Sequence, residues 1–310
     1  MAEQISFKTI AGEWLKEKQK LVKLSTYCAY SLIIHKHLIP AFQNIDIVKE
    51  VEVQEFVFRK FKEGHKHKTV HDIVAVLKAI EKYSAKHYLT PLPNWDIKMP
   101  TSTEIKKLPV LSLNEHKRLL NFISNNPDAH NIGILISLCT GMRIGEVCGL
   151  RWSDVNLVRR VITVNRTAAR IYDIEKKCTR NVLSTPKTKN SNREIPISPI
   201  LFKALSCVKQ SSNNEYVVGV FDKACDPRSY REYFKRLMKK LGLSQIVFHG
   251  LRHTFATRCI ESQCDYKTVS VLLGHSNVTT TLNLYVHPNM EQKKRCLNKL
   301  NRYLGNLKGD

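Results

Sequence analysis

Residues 90–112, TPLPNWDIKMPTSTEIKKLPVLS, hold four prolines and no sustained hydrophobic period. Proline fixes φ, lacks an amide donor and steers the residue before it away from helix. No single helix or strand runs through such a stretch, so it divides the chain. The 310 residues suffice for about two domains of roughly 100–200 residues each. The spacing predicts a first domain over 1–97, a linker over 98–111, a second domain over 112–288 and a tail helix over 289–310.

The first domain reads as four short helices, a small bundle. Phe7, Ile10, Trp14 and Leu15 recur near helical spacing. Ser25–Thr26 offers an N-cap before YCAYSLIIHKHLI, with Pro40 marking that helix's end. Val53, Phe56, Val57 and Phe61 share one side of a third helix, and Val70, Ile73, Val74, Leu77, Ile80 and Tyr83 one side of a fourth.

The second domain opens on a capping box, Ser112 to Glu115. Helices are expected over 113–125 and 129–139, with Gly141 as C-cap of the second. Between 160 and 197 the pattern changes: RVITVNR and REIPI alternate and are β-branched, which reads as a small antiparallel sheet around a polar stretch. Helices return over 199–209, 227–241, 249–262, 265–273 and 278–286, and a basic amphipathic helix covers Glu291–Tyr303. The expected class is mainly α with a small antiparallel β-sheet (α+β).

The net charge is +23, of which +5 falls in residues 1–100 and +18 in the remainder. Such a surplus favours a polyanionic partner. Nucleic acid is preferred over membrane, because no basic amphipathic helix carries Trp or Phe anchors. The longest apolar runs, such as Ile132–Cys139, fall short of the about 20 residues that span a bilayer. The opening residues, MAEQISFKTIAGEW, do not resemble an export signal. The nine cysteines form no C-x-x-C pair and read as free thiols of a reducing cytoplasm. The pairs His35/His37 and His65/His67 lack a second ligand pair at zinc-like spacing, so no metal is expected.

Four clusters carry chemistry. In TGMRIGEVCGLRWSDV, Arg143 and Glu146 share a helix face. Alone they fit a surface ion pair equally well, or an arginine whose fork is held toward a phosphate by a carboxylate. In STPKTKNSNREIPI, Lys187 sits in a turn-rich hairpin. In FHGLRHTFAT, His249 and Arg252 point the same way on a helix, which is electrostatically poor unless the histidine is neutral or both face an anion. In LLGHSNVTTTLNLY, His275 follows Gly274 at a helix end and Tyr285 comes ten residues later. Taken singly, Lys187 is an exposed lysine and Tyr285 a packing residue. Taken together, two arginines, a lysine and two histidines could surround one phenol. A free tyrosine is ionised at roughly one part in a thousand at pH 7. Neighbouring cations favour the phenolate and stabilise charge on a phosphoryl transition state.

These four motifs, in this order over residues 140–285, resemble the tyrosine recombinase (phage integrase) family. The segment STYCAYSLIIHKHLIPAF is similar to the family's helical core-binding domain, so the resemblance covers nearly the whole chain. It implies a core-binding domain over 1–97 and a tyrosine-recombinase catalytic domain over 112–288. It implies that Tyr285 attacks a DNA phosphodiester to give a 3′-phosphotyrosyl link, and that two rounds exchange strands through a Holliday junction. By motif position, Arg143 and Arg252 bind the non-bridging oxygens and Lys187 protonates the leaving 5′-oxygen, with Lys189 as its neighbouring alternative. His249 assists proton transfer, His275 hydrogen-bonds the phosphate and Glu146 supports Arg143. No cofactor is needed, because the phosphoester energy is kept in the tyrosyl bond.

The partners so implied are double-stranded DNA with specific sites, a homo-tetramer on that DNA and an accessory directionality factor, with no membrane. The place of action is the cytoplasm, at the nucleoid. The long stretch from Arg160 to Lys187 suggests an enlarged hairpin that touches DNA, and no arm-type module is expected ahead of the bundle. Leu297, Leu300 and Leu304 suit a tail docked on a neighbouring protomer. Two alternatives stay open: a non-catalytic basic DNA-binding regulator on the same scaffold, and a type IB topoisomerase-like nicking-closing enzyme.

Overall fold

The computed structural model describes residues 5–44, 48–100, 109–174, 176–185, 192–219, 223–275, 277–279 and 290–306. The chain divides into two compact units, residues 1–106 with 171–180, and residues 107–170 with 181–310.

The first unit is helical: α1 (Phe7–Leu21), α2 (Leu24–Ile33), a π turn (Ile34–Leu38), α3 (Ile39–Phe42), α4 (Glu50–Lys62) and α5 (His67–Tyr88). Ser6 caps α1 by accepting the Thr9 amide at 3.3 Å. The apolar stripes of all the long helices meet in one core that includes Phe7, Trp14, Leu38, Phe56, Leu77 and Ile80.

Two details depart from the expected helix over 25–40. It begins at Leu24, one residue before the Ser25–Thr26 pair, with Lys23 at the cap. The Lys23 carbonyl takes the Thr26 and Tyr27 amides at 2.8 and 3.0 Å, so neither hydroxyl is needed there. Pro40 does not end the helix. At the π turn the amide of Ile39 bonds back to Ile34, a five-residue step, and Pro40 falls in the first turn of α3. That shift of register lets the chain take a residue without an amide donor and keep winding.

The second unit holds α6 (Leu113–Asn125), α7 (Asn131–Thr140) and α8 (Ile144–Cys148). Next come β1 (Val155–Asn156), β2 (Val161–Val164), β3 (Thr167–Asp173), β4 (Cys178–Ser184) and β5 (Arg193–Pro196). The helices α9 (Pro199–Gln210), α10 (Pro227–Lys240), α11 (His249–Glu261) and α12 (Tyr266–Leu273) follow, and the last element is α13 (Met290–Asn306). The Ser112–Glu115 capping box forms, with bonds of 2.9 and 3.2 Å. The helix expected from 129 starts at Asn131, because the Asp128 carboxylate takes the amides of His130 and Asn131 at 2.8 and 2.7 Å.

The sheet runs antiparallel in the order β1–β2–β5, with Ile162 opposite Ile195 and Val164 opposite Arg193. Ile162, Val164 and Ile195 face the core, as the alternation requires. The polar stretch between the two predicted strands is a ribbon of its own, β3 paired with β4. Cys178–Asn181 at the start of β4 are exposed, so that strand shows no apolar alternation. Most of the helix expected over 278–286 lies outside the described residues. On α13, Leu297, Leu300 and Leu304 are exposed. No described helix is long and apolar enough to cross a membrane.

Packing around α7 is close enough to forbid one methyl group. A Cβ on Gly133 would lie 2.4 Å from the Tyr230 hydroxyl, 2.7 Å from Val218 and 2.9 Å from Val147. Alanine gains about 1 kcal/mol in helix propensity over glycine, but overpacking costs about 1–3 kcal/mol. The clash also disturbs the bond from the Tyr230 hydroxyl to the His130 carbonyl, worth about 1 kcal/mol. Gly133→Ala is therefore expected to lower the urea midpoint at unchanged m-value, and a raised midpoint would contradict this packing.

Candidate active site

The site is assembled from the ends of helices. α7 stops at Gly141, whose φ of 67° is left-handed and suits glycine. After Met142 the chain re-enters helix at α8, with Arg143 as the extended N-cap. The Arg143 amide donates to Glu146 at 2.9 Å and its guanidinium to the same carboxylate at 2.9 Å. Across the fold, Arg252 in the first turns of α11 donates to the Gly141 carbonyl at 2.8 Å. That bond ties Arg252 to the short loop that leads into Arg143.

Glu146 is 4% exposed. It also accepts two bonds from Arg193, at 3.2 and 3.0 Å. Burial alone would raise its pKa, but the Arg193 bonds and charge, then Arg143, outweigh that effect and lower it. Glu146 is therefore a buried carboxylate held ionised between two guanidiniums.

The C-terminal end of α12 faces the same cations. Arg193 Nε donates to the Leu272 carbonyl at 2.7 Å, and Arg143 reaches the carbonyls of Leu273 and Gly274 at 3.4 Å each. These are carbonyls that a helix end leaves without intrahelical donors, at the negative pole of its dipole. Gly274 is left-handed, φ 66°, and the His275 amide bonds back to Ser270 at 3.1 Å. This Schellman closure fixes where His275 leaves the helix.

His275 and His249 have the most depressed pKa values of this cluster, with His253 lowered beside them. Loss of hydration is the main cause for His275, with Arg252, Arg143, His249 and Arg193 adding to it, and its pKa falls to about 4. His249 is exposed by surface area, yet loss of hydration is still the largest cause, and His253, Arg252 and Arg143 complete a fall to about 4. His249 stands edge-on to His253, ring centres 4.6 Å apart. The electrostatic conflict seen in the sequence between His249 and Arg252 is resolved by a neutral imidazole. Arg252 itself is 3% exposed, so it is no surface arginine.

The structure thus brings Arg143, Glu146, His249, Arg252 and His275 together. Lys187, Lys189 and Tyr285 lie outside the described residues. Among the described residues, no cluster of His, Cys, Asp or Glu could hold a metal ion. Two residues of the cluster escaped the sequence reading. Arg193 occupies the inward phase of REIPI, in step with buried Ile195, and a charge in that phase is its signal. His253 is one helical turn from His249 in HGLRH.

Guanidiniums gathered at one place are the kind of group that stabilises charge on a transferring phosphoryl group. A profile described as the phage integrase family matches residues 109–292, and one for the phage integrase N-terminal SAM-like domain matches residues 6–60. The chain belongs to the phage integrase family, the tyrosine-type site-specific recombinases. It is 28% identical to a XerC-like tyrosine recombinase of Caldanaerobacter subterraneus subsp. tengcongensis, over 83% of this chain and 72% of the relative. It is 26% identical to the ICEBs1 integrase of Bacillus subtilis, over 98% of this chain and 84% of the relative. In fold it is similar to the Tn1549 transposon integrase solved with circular intermediate DNA, with a TM-score of 0.78 at 23% identity covering 96% and 99% of the two chains. A lambda integrase tetramer bound to a Holliday junction gives a TM-score of 0.64 at 18% identity, covering 89% and 79%.

The two depressed histidines make a prediction with a definite sign. Each folded pKa lies below the ordinary 6.5, so the unfolded chain binds more protons between pH 6.5 and about 4. Their contribution to stability is complete above pH 6.5 and is lost as pH falls toward 4. Imidazole NMR titration of the DNA-free protein should give both midpoints near 4, and His275→Gln should make the fall of Tm across that window shallower. A midpoint near 6.5 for either ring would refute the environment described for it.

Proposed function

We propose that this recombinase cuts and rejoins double-stranded DNA at specific sites, with Tyr285 as nucleophile. The phenol oxygen attacks phosphorus, the bond from phosphorus to the 5′-oxygen breaks, and a 3′-phosphotyrosyl link forms. Lys187, or its neighbour Lys189, gives the leaving 5′-oxygen its proton. Arg143 and Arg252 hold the non-bridging oxygens, His275 hydrogen-bonds the phosphate, His249 takes the phenol proton and Glu146 steadies Arg143. The observation that carries this reading is the meeting of Arg143, Arg252, His249 and His275 at one place, with both imidazoles neutral and able to accept a proton.

Positive charge from arginine and lysine does the work of a metal here, and the covalent link conserves the ester energy. The tail helix and the paired-duplex chemistry support action as a homo-tetramer through a Holliday junction, with an accessory factor setting direction. Residues 1–97 and 112–288 are the core-binding and catalytic domains, joined by 98–111, and 289–310 is the tail exchanged between protomers. The integrases and transposases among the relatives support movement of a mobile element as the host process.

On a suicide substrate run in a denaturing gel, Tyr285→Phe is expected to bind DNA and give no covalent adduct. An adduct that survives the change refutes the assignment. Arg143→Ala should slow adduct formation about 100- to 1,000-fold, the usual cost of one donor to a charged transition state. Strand exchange between two duplexes bearing the site is expected. Relaxation of plasmids that lack any site, without exchange, would instead identify a nicking-closing enzyme.

A further inference from the structure

Arg193 stands in a strand position that aliphatic residues normally fill. It opens β5 opposite Val164, and the next inward residue is Ile195. It is 8% exposed, so its charge is costly unless paired and hydrogen-bonded. The pairing is full along one edge of the fork. Its two terminal nitrogens meet the two oxygens of Glu146 at 3.2 and 3.0 Å, and its Nε meets the Leu272 carbonyl at 2.7 Å. At such depth it is largely out of contact with solvent.

Glu146 and Leu272 are two points from which the reacting groups are held. The oxygens of Glu146 also take the Arg143 guanidinium and the Arg143 amide, each at 2.9 Å. Leu272 is two residues before Gly274, where α12 closes and releases His275. Arg193 is also six residues after Lys187 in the chain. One guanidinium therefore links the arginine of α8, the histidine after α12 and the strand that follows the lysine.

Charge gives a second reason for its presence. Arg143 with Glu146 alone is a neutral pair, and a neutral pair is a weak ligand for a phosphate. With Arg193 the group carries one net positive charge, and Arg143 is its half-exposed member, 36% exposed at the side chain. Arg193 satisfies Glu146 from the buried side and leaves the charge of Arg143 available outward.

We propose that Arg193 is a positioning residue for strand cleavage: through Glu146 and the Leu272 carbonyl it sets the geometry and the positive charge of Arg143 and the place of His275. This rests on the reading of the site given under Proposed function. Lysine at 193 keeps the charge but has neither the paired terminal nitrogens nor Nε, so it cannot make the three bonds.

The test is a double-mutant cycle of Arg193→Lys and Glu146→Gln, with Arg193→Met beside it. In single-turnover cleavage of a suicide substrate at saturating protein, Arg193→Lys should bind DNA like the parent and form the Tyr285 adduct about 10- to 100-fold more slowly. Because Arg193 acts through Glu146, the double variant should be about as slow as the slower single one. In the DNA-free protein, Arg193→Met should raise the His275 titration midpoint. Parental cleavage by Arg193→Lys, rate losses that multiply in the double variant, or an unmoved His275 midpoint overturns the proposal. A lost rate that only follows lost folding or lost DNA affinity overturns it too. A parent protein that forms no Tyr285 adduct defeats the catalytic reading instead, and the His275 titration then decides on Arg193 alone.

Discussion

A carboxylate buried between two guanidiniums organises the catalytic unit. Glu146 lies 4% exposed, and each of its oxygens serves both Arg143 and Arg193. Removing Glu146 would leave two guanidiniums facing each other with no counter-charge, a loss of about 3–5 kcal/mol, whereas the intact group adds little net stability. Its value is in placement. Three elements distant in sequence, α8, β5 and the end of α12, are held in one arrangement by directional bonds that aliphatic packing could not supply.

The site is also built where helices end. Arg143 stands at a helix start, His275 just past a helix finish, and Arg252 beside the carbonyl that closes α7. Helix ends carry unsatisfied groups that bond easily to side chains. Here the carbonyls of Leu272, Leu273 and Gly274 take guanidinium donors, so the arginines are steadied before any phosphate arrives. Loss of hydration, reinforced by the same crowding of cations, keeps His249 and His275 uncharged and able to accept a proton.

Much of this was legible in the sequence, and the reasons are local. The Ser112–Glu115 capping box, the left-handed Gly141 and the alternation of RVITVNR and REIPI each follow from backbone chemistry within a few residues. Spacing paired Arg143 with Glu146 and His249 with Arg252, and the resemblance of the four ordered motifs to the family is what implied that these residues and His275 share one site. What failed was decided at longer range or by register. Pro40 ends a helix only if winding stays regular, and the π turn that closes two residues earlier, at Leu38, makes it harmless. Ser25 and Thr26 look like caps, but they lie inside the first turn, whose Thr26 and Tyr27 amides bond to the Lys23 carbonyl. Arg193 was passed over because nothing near it in the chain shows that a carboxylate lies across from it.

The π turn has a further consequence. Ile34, Leu38 and Phe42 are spaced by four and are all buried, 1%, 0% and 2% exposed. Regular α-winding would carry such a series around the axis by about 40° at each step. The wider turn between Ile34 and Leu38 offsets that drift and keeps the three side chains in line with the bundle interior. The bundle is thus tuned to the number of residues before Pro40 as much as to their identity. A one-residue change in the length of this segment would therefore be felt in the packing of the whole bundle and not in the turn alone.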